Sequence, residues 1–161
     1  PCGRLGSLGE VLKAARLSAE CTHNHPEGVK GAQCVAHAIA LALSGSGKDA
    51  IKQITTETYG YDLSINCAAL RESYYFNETC QGTVPQAITC FLESHDFESA
   101  IRLSISIGGD SDTLAAITGG IAEAYYGIPK EIEQKALSYL TEEFKVVVRR
   151  FQQTFSIGQL P

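Results

Sequence analysis

Gly108-Gly109-Asp110-Ser111-Asp112-Thr113-Leu114-Ala115-Ala116-Ile117-Thr118-Gly119-Gly120-Ile121-Ala122-Glu123-Ala124-Tyr125-Tyr126-Gly127 is the stretch whose reading decides the fold. Beyond Thr113 almost every position is small or apolar, so a helix over Leu114–Tyr126 has no broad polar face to offer water. Such a helix belongs at the centre of a bundle. Gly119 and Gly120 lower its intrinsic propensity but let a neighbour approach closely. Gly127, with Pro129 behind it, ends it.

Helical spacing continues on both sides. Downstream, helices are expected over about 130–140 and 142–155, the second with Phe144, Val147, Val148, Phe151 and Phe155 on one face. Upstream, Asp96 caps a helix with Phe97, Ala100, Ile101 and Ile105 inward, broken by Gly108-Gly109. Thr83-x-x-Gln86 reads as a capping box with Pro85 in the first turn, followed by Val84, Ala87, Ile88, Phe91 and Leu92 at helical spacing. Ser7-x-x-Glu10 reads as another, opening a helix whose inward face is Leu8, Val11, Leu12, Ala15 and Ala19. A polar insert, Cys21–Gly28, separates it from a helix over about 29–43, which Ser44–Gly47 stops before a short helix over about 49–58. Residues Tyr59–Gly82 read as a long loop with one helical turn near Ala68–Glu72. Its aromatic residues, Tyr59 to Phe76, either pin the loop by packing on each other or shape a substrate pocket. No stretch alternates as a strand does. The fold class is therefore all-α: one globular domain over residues 1–161, of seven or eight helices.

The net charge of −5 and the lack of a Lys/Arg stripe exclude recruitment of nucleic acid by bulk electrostatics. A small anionic ligand would need a local site or a metal to hold it. No run of 18 apolar residues is present, so no membrane span is expected. The opening Pro1–Gly6 has no signal-peptide organisation. Cys2, Cys21, Cys34, Cys67, Cys80 and Cys90 are widely spaced, with no CxxC pair. They read as small buried thiols, and the expected location is the cytoplasm.

Asp110, Asp112 and Thr113 carry the chemistry. Two carboxylates two residues apart in a glycine-bearing turn, with a hydroxyl beside them, are hard oxygen donors suited to Mg²⁺, Mn²⁺ or Ca²⁺. A plain N-cap for the following helix needs the same residue types. A cap uses only one of the acids, and a second beside a buried helix is costly unless paired or metal-bound. His23 and His25 lie in the polar insert, where loop histidines are ordinarily just exposed; His37 and His95 read as structural.

Gly108–Gly127 resembles the C-terminal signature of the ADP-ribosylglycohydrolase family, which includes the dinitrogenase reductase-activating glycohydrolases: a GGDxDT box followed by a small-residue helix ending in Tyr-Gly. Thr22-His23, Gly28 and Gly31-Ala32 resemble the family's Thr-His connection before a long helix, and Pro1-Cys2-Gly3 resembles, weakly, the end of an earlier stretch. The resemblance implies an all-α fold with a binuclear Mg²⁺ centre, Mn²⁺ being an alternative metal. It maps Asp110, Asp112 and Thr113 onto metal ligands and His23 onto the ADP-ribose pocket. It also implies that the chain is the C-terminal two-thirds of the domain. The family's N-terminal Asp-Asp-Thr box, and with it the catalytic carboxylate, has no counterpart here: only Glu10 and Glu20 precede His23. The implied function is hydrolysis of the glycosidic bond between ADP-ribose and an acceptor side chain or small molecule. The alternative is a non-catalytic ADP-ribose-binding or crystallin-like structural relative. Expected partners are ADP-ribose or an ADP-ribosylated protein, with a dimer or a complementing N-terminal segment covering exposed core.

Overall fold

Every helix N-terminus with a capping side chain starts where the chain offers an oxygen or imidazole acceptor to an orphan N–H. The computed structural model describes residues 6–155, the Phe155 side chain excepted, so Pro1–Gly3 and the inward role of Phe155 lie outside the described residues. Helix α1 (Leu8–Glu20) opens on the expected capping box, with Ser7 Oγ accepting from Glu10 N–H. Helix α2 (Pro26–Leu43) starts earlier than its apolar spacing implies, because His25 Nδ1 accepts from Glu27 N–H and Pro26 suits the first turn. Helix α3 (Lys48–Gln53) runs into a π-helical turn, Ile54–Thr58. Helix α4 (Cys67–Ser73) is the turn expected inside the aromatic loop, capped by Asn66. The other helices are α5 (Cys80–Glu93), α6 (Phe97–Ser106), α7 (Ser111–Tyr126), α8 (Lys130–Ser138) and α9 (Glu142–Phe155), and no strand occurs among the described residues.

Several expectations need correction. The described residues hold nine α-helices rather than seven or eight, Ile105 of α6 is exposed rather than inward, and Cys21 is exposed rather than a buried thiol. Thr83 and Gln86 do not form a capping box: α5 begins at Cys80, Thr79 caps it by accepting from Gly82 N–H, and Pro85 lies inside the helix, buried. The inward face assigned to α1 is only half covered, and Leu8 is exposed. In α9, Phe144, Val147 and Phe151 are exposed rather than inward, with Val148 half-buried. A helix's apolar stripe says which face seeks cover and not whether a partner supplies it.

The described residues up to Tyr126 form one compact unit and those from Gly127 a second. In the second, Gln152 Nε2 donates to Glu133 Oε1, linking α9 to α8. The first is built around α5 and α7. Leu114, Thr118, Ile121 and Ala122 of α7 are buried along one face, while Ala116, Glu123 and Tyr125 are exposed, so the helix is not buried all round as its small and apolar sequence leads one to expect. Thr118 Oγ1 donates to Ala87 O at 2.9 Å, and further along the same pair Tyr125 and Tyr126 flank Phe91. Since 87 pairs with 118 and 91 with 125–126, α5 and α7 run parallel. A Cβ on Gly31 of α2 would touch Cys80 and Val84 of α5, and one on Gly120 of α7 would touch Ile39. Stepping back from Ile39 to Gly31 along α2 therefore descends α7 by the same number of residues, to its first turn. The N-terminal ends of α2, α5 and α7 thus lie at one end of the unit.

Candidate functional site

Gly108 and Gly109 turn the chain from α6 into α7 with φ of 79° and 63°, a region L-side chains rarely adopt. This places Asp110, half-buried, and Asp112 and Thr113, exposed, at the start of α7. Asp110 O accepts the first helical bond, from Leu114 N–H, while Asp112 Oδ1 accepts from Thr113 N–H at 3.0 Å. The Asp112 carboxyl is also within hydrogen-bonding reach of the Asp110 carboxyl. That contact first, then the Thr113 and Asp112 backbone N–H groups, holds it below the usual carboxylate range.

Two neighbouring carboxylates repel each other when both are ionised, and a shared proton or a cation relieves that repulsion. The donor set, two carboxylates and the Thr113 hydroxyl, fits a hard divalent ion. Two carboxylates and one hydroxyl are fewer ligands than such an ion takes. Among the described residues no group of three or more His, Cys, Asp or Glu side chains is placed to hold a metal.

Gly109 is tied to its surroundings by size as well as by φ. A Cβ there would clash with Tyr74 Cε1, sit 2.9 Å from Tyr74 Cδ1 and 3.1 Å from the Tyr75 carbonyl carbon. The segment following α4 therefore walls the acidic turn. Burial, opposed by the Thr83 hydroxyl and reinforced by the Asp110 charge, pushes the Tyr74 phenol up. Beside it lies a cleft of about 170 Å³ bordered by Tyr74, Tyr75, Asn77 and Gln86, where Gln86 Oε1 is buried without a hydrogen bond.

The aromatic loop is buried at its start, where its rings pack on α2 rather than on each other, and exposed at its end. Tyr59 and Tyr61 are core residues: Tyr59 packs edge-on against His37, its hydroxyl 3.2 Å from His37 Nδ1, and Lys30 sits 4.7 Å from the centre of the Tyr61 ring. Tyr75, which borders the cleft, and Phe76 are exposed. His23 is exposed in the turn before α2, its Nδ1 2.7 Å from Thr22 Oγ1. It shares the end of the unit with Asp110 and Asp112 through the parallel course of α2 and α7. His25 caps α2, His37 is buried, and His95 is exposed beside Asp96.

Sequence reasoning missed several of these features. Tyr74 faces Gly109 across 35 positions of chain, and no local pattern marks such a pairing. The Glu27–Lys30 ion pair at 2.6 Å was visible as acid and base at helical spacing. Lys48 Nζ donates to the carbonyls of Leu92 and Ser94 at the end of α5, which no local signal shows.

The family model for ADP-ribosylglycohydrolase matches residues 1–157. The chain belongs to the ADP-ribosylglycohydrolase family. It is 28% identical to human (Homo sapiens) ADP-ribosylhydrolase ARH3, over 92% of this chain and 54% of that protein. To the ADP-ribosylarginine hydrolase Tri1 of Pseudomonas putida (strain GB-1) it is 28% identical, over 84% of this chain and 39% of the relative. A solved structure described as an ADP-ribosylglycohydrolase-related protein complex superposes with a TM-score of 0.58 at 29% identity, covering 73% of this chain and 44% of that one. The chain thus spans about half the length of the first curated relatives it matches. The all-α architecture is that of the family.

Proposed function

We propose that the chain supplies the C-terminal part of the Mg²⁺ centre of a hydrolase. That hydrolase cleaves the glycosidic bond between ADP-ribose and an acceptor side chain or small molecule. The observation that carries this reading is the pairing of opposite electrostatic demands at one end of the first unit. Asp110 and Asp112 call for a cation. The N-termini of α2, α5 and α7, whose dipoles present positive ends, favour an anion. A diphosphate with a divalent metal satisfies both, and a chain of net charge −5 needs such local attraction. The family match and hydrolase relatives support ADP-ribose as the diphosphate.

In this reading Asp110, Asp112 and Thr113 hold the metal from one side, with Gly108 and Gly109 setting their angle of approach. His23 borders the ADP-ribose pocket. Asp110, Asp112 and Thr113 would hold Mg²⁺ (two ions in the complete centre), which when bound would supply Lewis-acid polarisation of the ribose and of a nearby water. By the resemblance, the carboxylate that accepts the water's proton belongs to the family's N-terminal Asp-Asp-Thr box and is neither Asp110 nor Asp112. The weaker reading, a non-catalytic ADP-ribose-binding or structural relative, draws on the incomplete acid cluster.

Calorimetric titration with ADP-ribose, with and without Mg²⁺, tests the proposal. Binding that needs Mg²⁺ and disappears in Asp110→Asn/Asp112→Asn supports it. Binding indifferent to both changes contradicts it. Release of ADP-ribose from ADP-ribosylated arginine and serine peptides separates hydrolase from binding protein.

A further inference from the structure

Away from the acidic turn, the thiols of Cys67 and Cys90 lie 3.7 Å apart, 1% and 0% exposed. Cys67 opens α4 and Cys90 lies in the buried middle of α5. They share a core cluster with Leu70, Ala87, Ile107 and Leu114, against which Tyr74 also packs. Helix α4 has seven residues, too few to be stable alone, and depends on this cluster for its place. Its N-terminus is tethered to α5 a second time, Cys67 N–H donating to Glu93 Oε1 at 3.1 Å.

We propose that Cys67 and Cys90 form a modification site: a low-molecular-weight disulfide of the glutathione class oxidises them to an intramolecular disulfide that pins α4 to α5. The Cys67 thiolate attacks one sulfur of the small disulfide, forming a mixed disulfide. The departing small thiolate takes the proton that Cys67 gave up. The Cys90 thiolate then attacks the Cys67 sulfur and displaces the second small thiol, which takes the Cys90 proton. Two protein thiols lose two electrons, and the small disulfide is reduced to two thiols. The sulfurs lie 3.7 Å apart, against the ~2.05 Å of a disulfide bond.

The hydrogen bond to Cys90, burial and the Glu93 carboxylate all disfavour the Cys67 thiolate while α4 is docked. Reaction therefore proceeds through local opening of α4, and the product holds it shut. Tyr74 follows α4 directly, its N–H bonded to Leu70 O at 2.7 Å, and its ring abuts Gly109. Oxidation thus stiffens the wall of the acidic turn. The inference stands independently of what that turn binds.

The test is incubation of the protein with oxidised glutathione, alkylation of remaining thiols, and peptide mass mapping, alongside hydrogen exchange and thermal unfolding. The expected product is a Cys67–Cys90 cross-linked peptide pair lighter by two hydrogens. Slower exchange over Ala68–Phe76 and a melting temperature higher by several degrees are expected with it, both reversed by dithiothreitol. Cys67→Ser and Cys90→Ser each remove the cross-link; mapping of the wild-type protein stands even if a variant folds poorly. Recovery of both cysteines as alkylated thiols, while exposed Cys21 is glutathionylated, overturns the proposal. So does a cross-link that leaves exchange over Ala68–Phe76 unchanged.

Discussion

Replacing Gly109 by Ala probes how the acidic turn is held. Two independent penalties apply. The φ of 63° puts an L-residue in the left-handed region, costing roughly 1–2 kcal/mol. The new methyl would also press on the Tyr74 ring edge and come within 3.1 Å of the Tyr75 backbone. Tyr74 cannot simply swing away, because its ring packs on the cluster of Leu70, Ala87 and Leu114. Overpacking of this kind costs about 1–3 kcal/mol, so the total is roughly 2–5 kcal/mol. Gly108 is the internal control: its φ is 79°, but a Cβ there meets nothing within 4 Å, so Gly108→Ala carries only the backbone penalty. Urea unfolding of the two variants measures the difference, expected to be about 1–3 kcal/mol. Combining Gly109→Ala with Tyr74→Ala should recover part of it, as a coupling energy between contacting residues. Equal destabilisation by Gly108→Ala and Gly109→Ala would refute the claim that Tyr74 walls the turn.

Three further outcomes follow from other contacts. Lys48→Met keeps the aliphatic stem beside Phe91 and Tyr126 but removes the ammonium that caps Leu92 O and Ser94 O. A loss of about 1–3 kcal/mol in chemical denaturation is expected from those charge-assisted bonds. Thr79→Ala should cost about 1 kcal/mol as the true N-cap of α5. Burial lowers the His37 pKa from its ordinary 6.5, so between the two values the unfolded chain binds a proton the folded one does not. Stability from this source is complete above the unfolded value and declines as pH falls below it, by at most ~1.4 kcal/mol per unit. Unfolding free energies measured from pH 7 to 5 should show that decline, and His37→Gln should flatten it.

What the sequence discloses depends on how local the cause is. Helix α7 was readable as a helix from its small and apolar run, but burial of one face only, Leu114, Thr118, Ile121 and Ala122, leaves Ala116 and Tyr125 exposed, which composition does not disclose. The N-cap of α1 was readable because both partners sit within four positions. The start of α5 was misplaced because Thr83-x-x-Gln86 fits a capping box as well as Thr79 fits a cap, and only tertiary packing lets Pro85 sit inside the helix. The apolar stripe of α9 shows the converse limit, since periodicity marks Phe144 and Val147 as inward although both are exposed among the described residues. Asp110, Asp112 and Thr113 could be nominated from donor chemistry and resemblance. Their wall, Tyr74, could not, because a single glycine–ring contact between distant segments leaves no periodic trace. The convergence of three helix N-termini follows from parallel packing, and emerges only once Thr118 is seen to pair with Ala87 and Gly31 with Cys80.

Paramagnetic broadening by Mn²⁺ tests the central claim most directly, because it detects even weak occupancy by a hard divalent ion. In amide spectra of the protein, substoichiometric Mn²⁺ should broaden Gly108–Leu114 first. Excess Mg²⁺ should reverse the effect, and Asp110→Asn/Asp112→Asn should abolish it. Broadening centred elsewhere, for example on the acidic start of α9 at Glu142 and Glu143, with Gly108–Thr113 untouched, would contradict the assignment.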